Sequence, residues 1–381
     1  MYLLQRLIGV GIYVVCAVAM YLLIPRIKGI KGTLNLYIIV LGIMGFCYVP
    51  MQGADLSRTY ATMYLYANMS VSEIWNAMLK NSSPMVILYY HLIGRLGDDR
   101  LLPCITAIIT FGFLFGIVKS CYRKYEIRKS TVAVSIFFFM SRGLLMATIS
   151  NIRTMLAISL IAYSIYKILG EHQSIMKYIA LLVIGSLLHT TGLAATLIFF
   201  AYYIFIGSKS RNRILSLCES ILLLIGIVVF GKPYFLNAAD KGLKYLSYAQ
   251  MGTGYFYIWE MVLSLIVILF IILVFLKYYR RNCSKLEAEE STETIIYTNF
   301  MGFILLLSLL DFVALFIEFN IGLRLNYLLK SLTMPFFIFL LNSNDYSKQN
   351  KSKLYNCVLI VSAFLLFIAC ARGDLCSLKF R

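Results

Sequence analysis

The sequence contains few charged residues, which make up 14% of its 381 positions. A soluble globular domain has roughly 25% charged residues, so this composition excludes an ordinary soluble domain. Apolar runs of about 18 or more residues recur along the chain and are continuous rather than alternating, which indicates membrane-spanning helices and excludes a strand-built barrel. We therefore predict an all-α, polytopic membrane protein with about twelve spans, some short or re-entrant helices, and a single transmembrane domain over residues 1–381.

The sequence also lacks the motifs of several enzyme classes. It has no P-loop, DxD motif or dinucleotide fingerprint in its basic loops, which argues against ATP or a nucleotide sugar as donor. The nine cysteines form no CxxC pair and the three histidines lack ligand spacing, so we predict no metal site and no cofactor. The net charge of +18 is not a nucleic-acid signal, because Lys and Arg lie mainly in short loops between apolar runs.

The basic loops predict the topology. Arg26, Lys28 and Lys31 follow the first span, and residues 119–129 carry five basic side chains, so both loops are predicted to be cytoplasmic. Long outer connections are expected at about residues 52–83 and 231–257, the first with a short interfacial helix over residues 71–80. We predict a single outward span over residues 132–148, two short helices that meet at His189, and a turn over residues 318–323.

The segment SRGLLMATISNIRTMLAISL, residues 141–160, carries two arginines within a long apolar region. Its polar tip, Ser150 and Asn151, separates two apolar runs, so Arg153 is predicted to open a helix at the outer surface. A guanidinium beside the free N–H groups of a helix N-terminus is suited to bind an anion. We interpret this anion as the pyrophosphate of a lipid-linked sugar; a snorkelling side chain at the interface is the alternative for both Arg142 and Arg153.

Other candidate residues fall on the same predicted side. Asp55 and Arg58 suit sugar binding, although a local ion pair on a helix face is the alternative. Lys241, Lys244 and Tyr245 lie in the second outer connection, and Arg324 follows a predicted turn. His189 has a pKa range that suits a general base, with about 6.5 as the unperturbed value, and Asp55 is the competing base. A helix-packing hydrogen bond is the alternative role for His189.

Four short segments carry a family resemblance. They are GADLSRTY at 53–60, SNIRTMLAISL at 150–160, LLHTTGL at 187–193 and IGLRLNYLL at 321–329. In these segments the chain resembles the Wzy-type polymerases of O-antigen and capsule repeat units, specifically the EpsG-like family. The resemblance points to Arg153, Arg324 and His189 as the functional set.

This resemblance implies a fold similar to the GT-C-like membrane glycosyltransferases that use polyprenyl donors. It also implies a metal-independent glycosyltransferase that joins undecaprenyl-diphosphate-linked oligosaccharide repeat units at the outer face of the bacterial cytoplasmic membrane. The implied partners are the lipid-linked donor and acceptor, the bilayer, a chain-length regulator and a flippase, with no nucleic acid.

Two other functions use similar residues. A flippase or transporter of lipid-linked oligosaccharide would also line a cavity with arginines, but it is expected to show internal repeats and polar residues at the midplane, and no convincing repeat is present. A polysaccharide ligase or an acyltransferase that acts on the same lipid would need the same arginines, so the sequence leaves it open.

Overall fold

The computed structural model of the protein describes residues 2–50, 55–125, 127–141, 143–204, 255–286, 292–317, 319–342 and 348–371. These residues are almost entirely helical, and no strand occurs among them, which confirms the all-α prediction. Within the described ranges six helices are long and apolar enough to cross a membrane, or seven if one bent pair counts as a single span. The chain is an integral membrane protein, but the predicted count of twelve spans is not confirmed. Residues 205–254, which include most of the predicted second outer connection, lie outside the described residues.

The structure describes fifteen α-helices. In chain order they are α1 (Tyr2–Leu23), α2 (Ile30–Cys47), α3 (Asp55–Ala67), α4 (Val71–Lys80), α5 (Pro84–Gly94), α6 (Leu101–Lys124), α7 (Lys129–Met140), α8 (Leu144–Ser150), α9 (Ile152–Ile165), α10 (Ile179–Leu188), α11 (Thr190–Tyr202), α12 (Tyr255–Leu286), α13 (Thr292–Ile317), α14 (Phe319–Asn342) and α15 (Lys348–Ala371).

The helices pack into two compact units. The first comprises Met1–Ile74, Ile87–Ser159 and Thr333–Arg381, and the second comprises Trp75–Val86 and Leu160–Leu332. In the first unit α2 packs along α6, α7 lies between α1 and α15, and α8 contacts α3 and α6. Its core is aromatic, with Phe111, Phe115 and Phe139 in mutual contact and all fully buried.

The α2–α6 pair sets the geometry of one end of the first unit. A Cβ on Gly45 would lie 2.8 Å from the carbonyl oxygen of Pro103, so only a glycine lets the two backbones approach this closely. The pair is antiparallel: Lys119 Nζ, near the end of α6, donates to Asn35 Oδ1 in the first turns of α2 at 2.5 Å. Lys129 Nζ bonds the carbonyl of Ile27 at 2.7 Å. The two basic loops predicted to be cytoplasmic therefore meet at the same end of this unit.

The structure adds detail to two sequence predictions for the first unit. Residues 132–148 do not form one straight span, because α7 ends at Met140 and α8 continues at an angle of 50°. The bend includes Gly143, whose φ of +64° is a left-handed conformation open to glycine. The connection at residues 52–83 is mostly helical, with α3 in addition to α4, whose predicted bounds are confirmed.

The second unit is built around α10 to α13 and the last turns of α9, which continue as a π-helical turn over Tyr166–Gly170. Tyr166 packs edge-on against Phe300, and Tyr202 donates to the carbonyl of Asn299 at 2.7 Å. The predicted pair of short helices is confirmed: α10 and α11 pack against each other and break at His189. With ten residues α10 is about 15 Å long, half of a hydrocarbon core of about 30 Å.

The predicted turn at residues 318–323 is wrong. α14 begins at Phe319, so its first helical turn replaces most of that turn. The apolar residues that follow Glu318 continue the helical pattern, and only a very short connection separates α13 from α14. Arg324 is consequently the sixth residue of a helix rather than the first residue after a turn.

Candidate functional site

Arg153 is the second residue of α9 and its side chain is exposed. The prediction that it opens a helix is confirmed. α9 starts directly after α8, with Asn151 as the connecting residue, and the amide of Met155 bonds the carbonyl of Asn151 at 2.9 Å. The N–H groups of the first turn of a helix have no carbonyl partner within that helix. Arg153 belongs to this turn of α9, so its backbone lies among these N–H groups.

The side chain of Arg153 lies near a buried tyrosine of α5. Tyr90 is 3% exposed, and its hydroxyl is hydrogen-bonded with Thr59 of α3 and interacts electrostatically with Arg153 and Tyr66. Thr59 is also bonded to the carbonyl of Asp55 at 2.8 Å. We call Arg153, Tyr90, Thr59 and Tyr66 the Arg153 cluster. It joins three segments that are distant in sequence, within the first unit.

The arginines of the first unit differ in their partners. Arg58 pairs with Asp55, and Arg100 binds both oxygens of Asp98 and stacks over Phe46 at 4.4 Å. Among the residues that the structure describes, Arg153 pairs with no carboxylate, and the same holds for Arg26, Arg95, Arg123 and Arg128 of this unit. Arg95 follows the C-terminus of α5, where the helix dipole stabilises a cation.

Arg153 has the opposite location. A cation in the first turn of a helix is repelled by the helix dipole, typically by about 0.3–1 kcal/mol, unless an anion binds between the two positive groups. Its guanidinium and the adjacent N–H groups can bind the same anion, so Arg153 fits an anion site better than it fits a simple interfacial arginine.

Asp55 and Arg58 form an ion pair on the outer face of α3 with both side chains mostly exposed. The structure therefore shows the local ion pair that the sequence left open as an alternative. Exposed pairs of this kind contribute little to stability. Asp55 nevertheless lies one helical turn from Thr59, so the pair is next to the Arg153 cluster.

His189 is the N-cap of α11. Its backbone is extended, and its Nδ1 accepts the backbone N–H of Thr191 at 3.1 Å, with Thr191 Oγ1 at 3.0 Å. Because Nδ1 is an acceptor, the neutral ring has its proton on Nε2. In this tautomer only Nδ1 can accept a proton, so action as a base requires the contact of Nδ1 with Thr191 to be released.

His91 has the other tautomer. Its ring is buried, and Nδ1 lies 2.8 Å from the carbonyl of Tyr66, so Nδ1 must donate. The neutral ring then has an unprotonated Nε2, which a general base requires. His91 was not among the bases that the sequence predicts. The sequence places His91 beside Tyr90 in α5, but a role for His91 becomes visible only from the packing of α5 against α3.

In the second unit Arg324 lies two residues before Asn326. Asn326 Nδ2 donates to Asp311 Oδ2 at 2.7 Å, and both side chains are fully buried between α13 and α14. Lys330, one turn further along, is 5% exposed and lies 5.2 Å from the ring of Tyr327. These buried polar residues were not candidates in the sequence. Polar side chains inside a membrane helix are costly and commonly functional.

Four predicted site residues, namely Arg142, Lys241, Lys244 and Tyr245, lie outside the described residues. Within the described ranges, no group of three or more His, Cys, Asp or Glu side chains could hold a metal ion.

Comparisons with known proteins gave one match. Residues 33–377 match the model of the EpsG family, which covers nearly the whole chain. No curated protein and no solved structure matches the chain.

Proposed function

The chain belongs to the EpsG family, whose members are Wzy-type polymerases, and we propose that it joins undecaprenyl-diphosphate-linked oligosaccharide repeat units into a capsular polysaccharide or exopolysaccharide. The proposed site is at the outer face of the bacterial cytoplasmic membrane. Basic loops lie mainly on the cytoplasmic side of a membrane. The basic loops of the first unit are at one end of the α2–α6 pair and the Arg153 cluster is at the other, which supports an outer location for the cluster.

The proposed reaction is a glycosyl transfer. The bond between the anomeric carbon of the growing glycan and its diphosphate oxygen breaks, and a new bond forms between that carbon and a hydroxyl oxygen of the acceptor repeat unit. The hydroxyl proton passes to a base, and undecaprenyl diphosphate leaves as the anion. Negative charge therefore grows on the diphosphate in the transition state, where fixed positive groups stabilise it most.

The observation that carries this proposal is the position of Arg153. It combines an exposed guanidinium, a helix N-terminus and the absence of a carboxylate partner among the described residues. A guanidinium can bind two phosphate oxygens at once, whereas a lysine acts as a point charge. We assign Arg153 to the diphosphate of the donor, with Tyr90 as the group that positions its side chain.

Three side chains are candidates for the base that accepts the proton of the acceptor hydroxyl. His189 and Asp55 are the bases that the sequence predicts. His189 would act after its contact with Thr191 is released, and Asp55 from its exposed position on α3. His91 is the third candidate, and its tautomer already leaves Nε2 unprotonated.

The other predicted residues have binding roles in this proposal. Arg324, Arg58, Arg142, Lys241, Lys244 and Tyr245 contact the phosphates and sugars of the two lipid-linked substrates. Guanidinium groups take the place that a divalent cation has in other glycosyltransferases, so we propose that the reaction is independent of metal. Polymer formation should then persist in excess EDTA.

The decisive experiment is polymer formation by the purified protein in nanodiscs with its cognate undecaprenyl diphosphate repeat unit. Wild type should yield a ladder of repeats. Arg153→Ala should lower the initial rate about 100-fold or more, since one charged donor to a transition-state anion is typically worth that much. Arg153→Lys should remain strongly impaired, because it keeps the charge and loses the bidentate geometry.

The matched control is Arg95→Ala, which removes an exposed arginine of the same unit at a helix C-terminus. Its ladder should equal that of wild type. A full ladder from a folded Arg153→Ala protein would remove Arg153 from the site. A wild type that moves the lipid-linked unit across vesicles without forming a ladder would identify a flippase, and transfer of a single unit to another acceptor would identify a ligase.

A further inference from the structure

A cavity of about 290 Å³ opens at the end of the α2–α6 pair, away from the basic loops. Its walls include Phe46 and Tyr48 from the end of α2, Tyr60 from α3, and Asp99 and Arg100 from the residues before α6. The volume lies just below the range of about 300–1,000 Å³ for small-molecule sites, so it suits one or two rings rather than a long chain.

The polar groups around this cavity have unused hydrogen-bonding capacity. The hydroxyl of Tyr60 is buried and makes no hydrogen bond with any described residue. Burial and then the neighbouring Asp99 carboxylate raise the pKa of this hydroxyl above its usual range, so it remains a donor. A buried hydroxyl without a partner costs free energy, which a bound ligand with an acceptor would recover.

Asp99 and Arg100 complement that donor. In the described part of the chain the Asp99 carboxylate makes no hydrogen bond or ion pair, so all of its acceptor sites are available. Arg100 uses Nε and Nη2 to bind Asp98 at 2.6–3.1 Å, which leaves the N–H groups of Nη1 for a ligand. Its stacking over Phe46 at 4.4 Å holds the guanidinium in place.

The charge of the cavity selects against phosphate. Asp98 and Asp99 together outweigh Arg100 by one negative charge, and a carboxylate at the wall repels an anion. A ligand with several hydroxyl groups, each both donor and acceptor, matches the set of donors and acceptors. The aromatic side chains at the wall suit the apolar face of such a ring.

The cavity is next to the Arg153 cluster. Thr59 belongs to that cluster, and Tyr60, the following residue of α3, lines the cavity. Consecutive residues of a helix point about 100° apart, so the two sites flank the same helix. A glycan chain that has its reacting end at one site can place a neighbouring sugar in the other.

We propose that this cavity is a sugar-binding subsite, in which Tyr60, Asp99 and Arg100 bind one or two rings of the acceptor glycan next to the sugar whose hydroxyl reacts. This assignment rests on the proposed polymerase function. The ligand of the cavity is then a neutral or amino sugar, and the diphosphate is bound by Arg153.

The test measures binding without reaction. The probe is the free oligosaccharide repeat unit, prepared from the polymer of the producing organism and added to the full chain in nanodiscs, with binding followed by saturation-transfer NMR. Tyr60→Phe should weaken binding about fivefold and Asp99→Asn about tenfold, as expected for the loss of one neutral and one charged hydrogen bond. Tyr122→Phe, which removes a hydroxyl at the other end of α6, is the matched control and should bind as wild type does.

Each result separates this subsite from the polymerase function. Binding by Tyr60→Phe and Asp99→Asn equal to that of wild type, or no binding by wild type at millimolar oligosaccharide, would overturn the subsite even if the wild-type ladder forms. Weakened binding in the two variants, with no ladder from wild type, would retain the subsite and overturn the polymerase function.

Discussion

Thr59 and Tyr60 are consecutive residues of α3, yet their side chains belong to different sites. Thr59 is hydrogen-bonded with Tyr90, which interacts electrostatically with Arg153, whereas Tyr60 lines the cavity with Asp99. α3 therefore connects the proposed diphosphate site with the proposed sugar subsite. A helix of this kind keeps the distance between the diphosphate of the donor and a sugar of the acceptor constant, which is what repeated addition of identical units requires.

Tyr90→Phe tests the support of Arg153. The change removes the hydroxyl that interacts with Arg153 and Thr59 and leaves the ring in its buried position, so the initial polymerisation rate should fall about three- to tenfold with little change in thermal stability. Tyr89→Phe is the matched control: its hydroxyl bonds Thr106 at 2.9 Å, away from Arg153, and its rate should match wild type. Equal rates for both variants would show that Tyr90 does not position the arginine.

Two substitutions of His189 distinguish its role as the N-cap of α11 from a role in proton transfer. Asparagine is a good N-cap, so His189→Asn should keep the thermal stability of wild type, whereas His189→Ala should lose about 0.5–2 kcal/mol. Since Nδ1 is occupied by Thr191, we expect the asparagine variant to keep most of its polymerisation rate as well. A stable His189→Asn protein without activity would assign the proton transfer to His189.

Gly45→Ala tests the close approach of α2 and α6. The new Cβ would lie 2.8–3.2 Å from backbone atoms of Pro103 and Cys104, which cannot move aside as a flexible side chain can, so we expect a loss of about 1–3 kcal/mol and a lower melting temperature. Gly112→Ala in α6 is the control. Its Cβ meets nothing within 4 Å, and alanine favours the helix, so its melting temperature should stay level or rise.

Glu73 should make the start of α4 sensitive to acid. Ser70 donates to Glu73 from its backbone N–H and its hydroxyl, both at 2.7 Å, and these bonds lower the pKa of the carboxyl. Because the pKa is lower in the folded state, the stabilisation is complete above the unfolded value of about 4.3 and is lost as the pH falls through the folded value.

Hydrogen exchange of the α4 amides measures this effect. Their protection should decrease between pH 5 and pH 3, and it should do so less in Glu73→Gln, which keeps a cap that does not titrate in this range. Equal pH profiles for the two proteins would contradict the role of the carboxylate.

The sequence predicted the elements whose boundaries are visible in the chain itself. The break at His189 follows from an apolar stretch too long for one span with polar residues at its centre, and the start of α9 follows from the polar tip at Ser150 and Asn151. The bend at Gly143 was not predicted, because the apolar runs on either side of residues 141–143 together have about the length of one span, and a short polar interruption does not specify a change of direction.

The contacts between the residues of the site were harder to predict from the sequence than the helices were. Arg153 was identified because an arginine in an apolar region is rare. The contacts of Thr59 with Tyr90 and of His91 with Tyr66 depend on the packing of α3 against α5, which no local pattern specifies. The cavity combines residues of α2, α3 and the loop before α6, and none of them is unusual in its own segment.

The close fit at Gly45 also has a consequence for how new substrate preferences can arise. Residues 48–50, 99 and 100 form much of the cavity wall, and α2 and α6 are held together where Pro103 lies against Gly45. Substitutions in the wall can therefore change the preferred sugar while the frame keeps its shape. An effort to redirect the enzyme to another repeat unit should diversify these five positions and leave the helix pair unchanged.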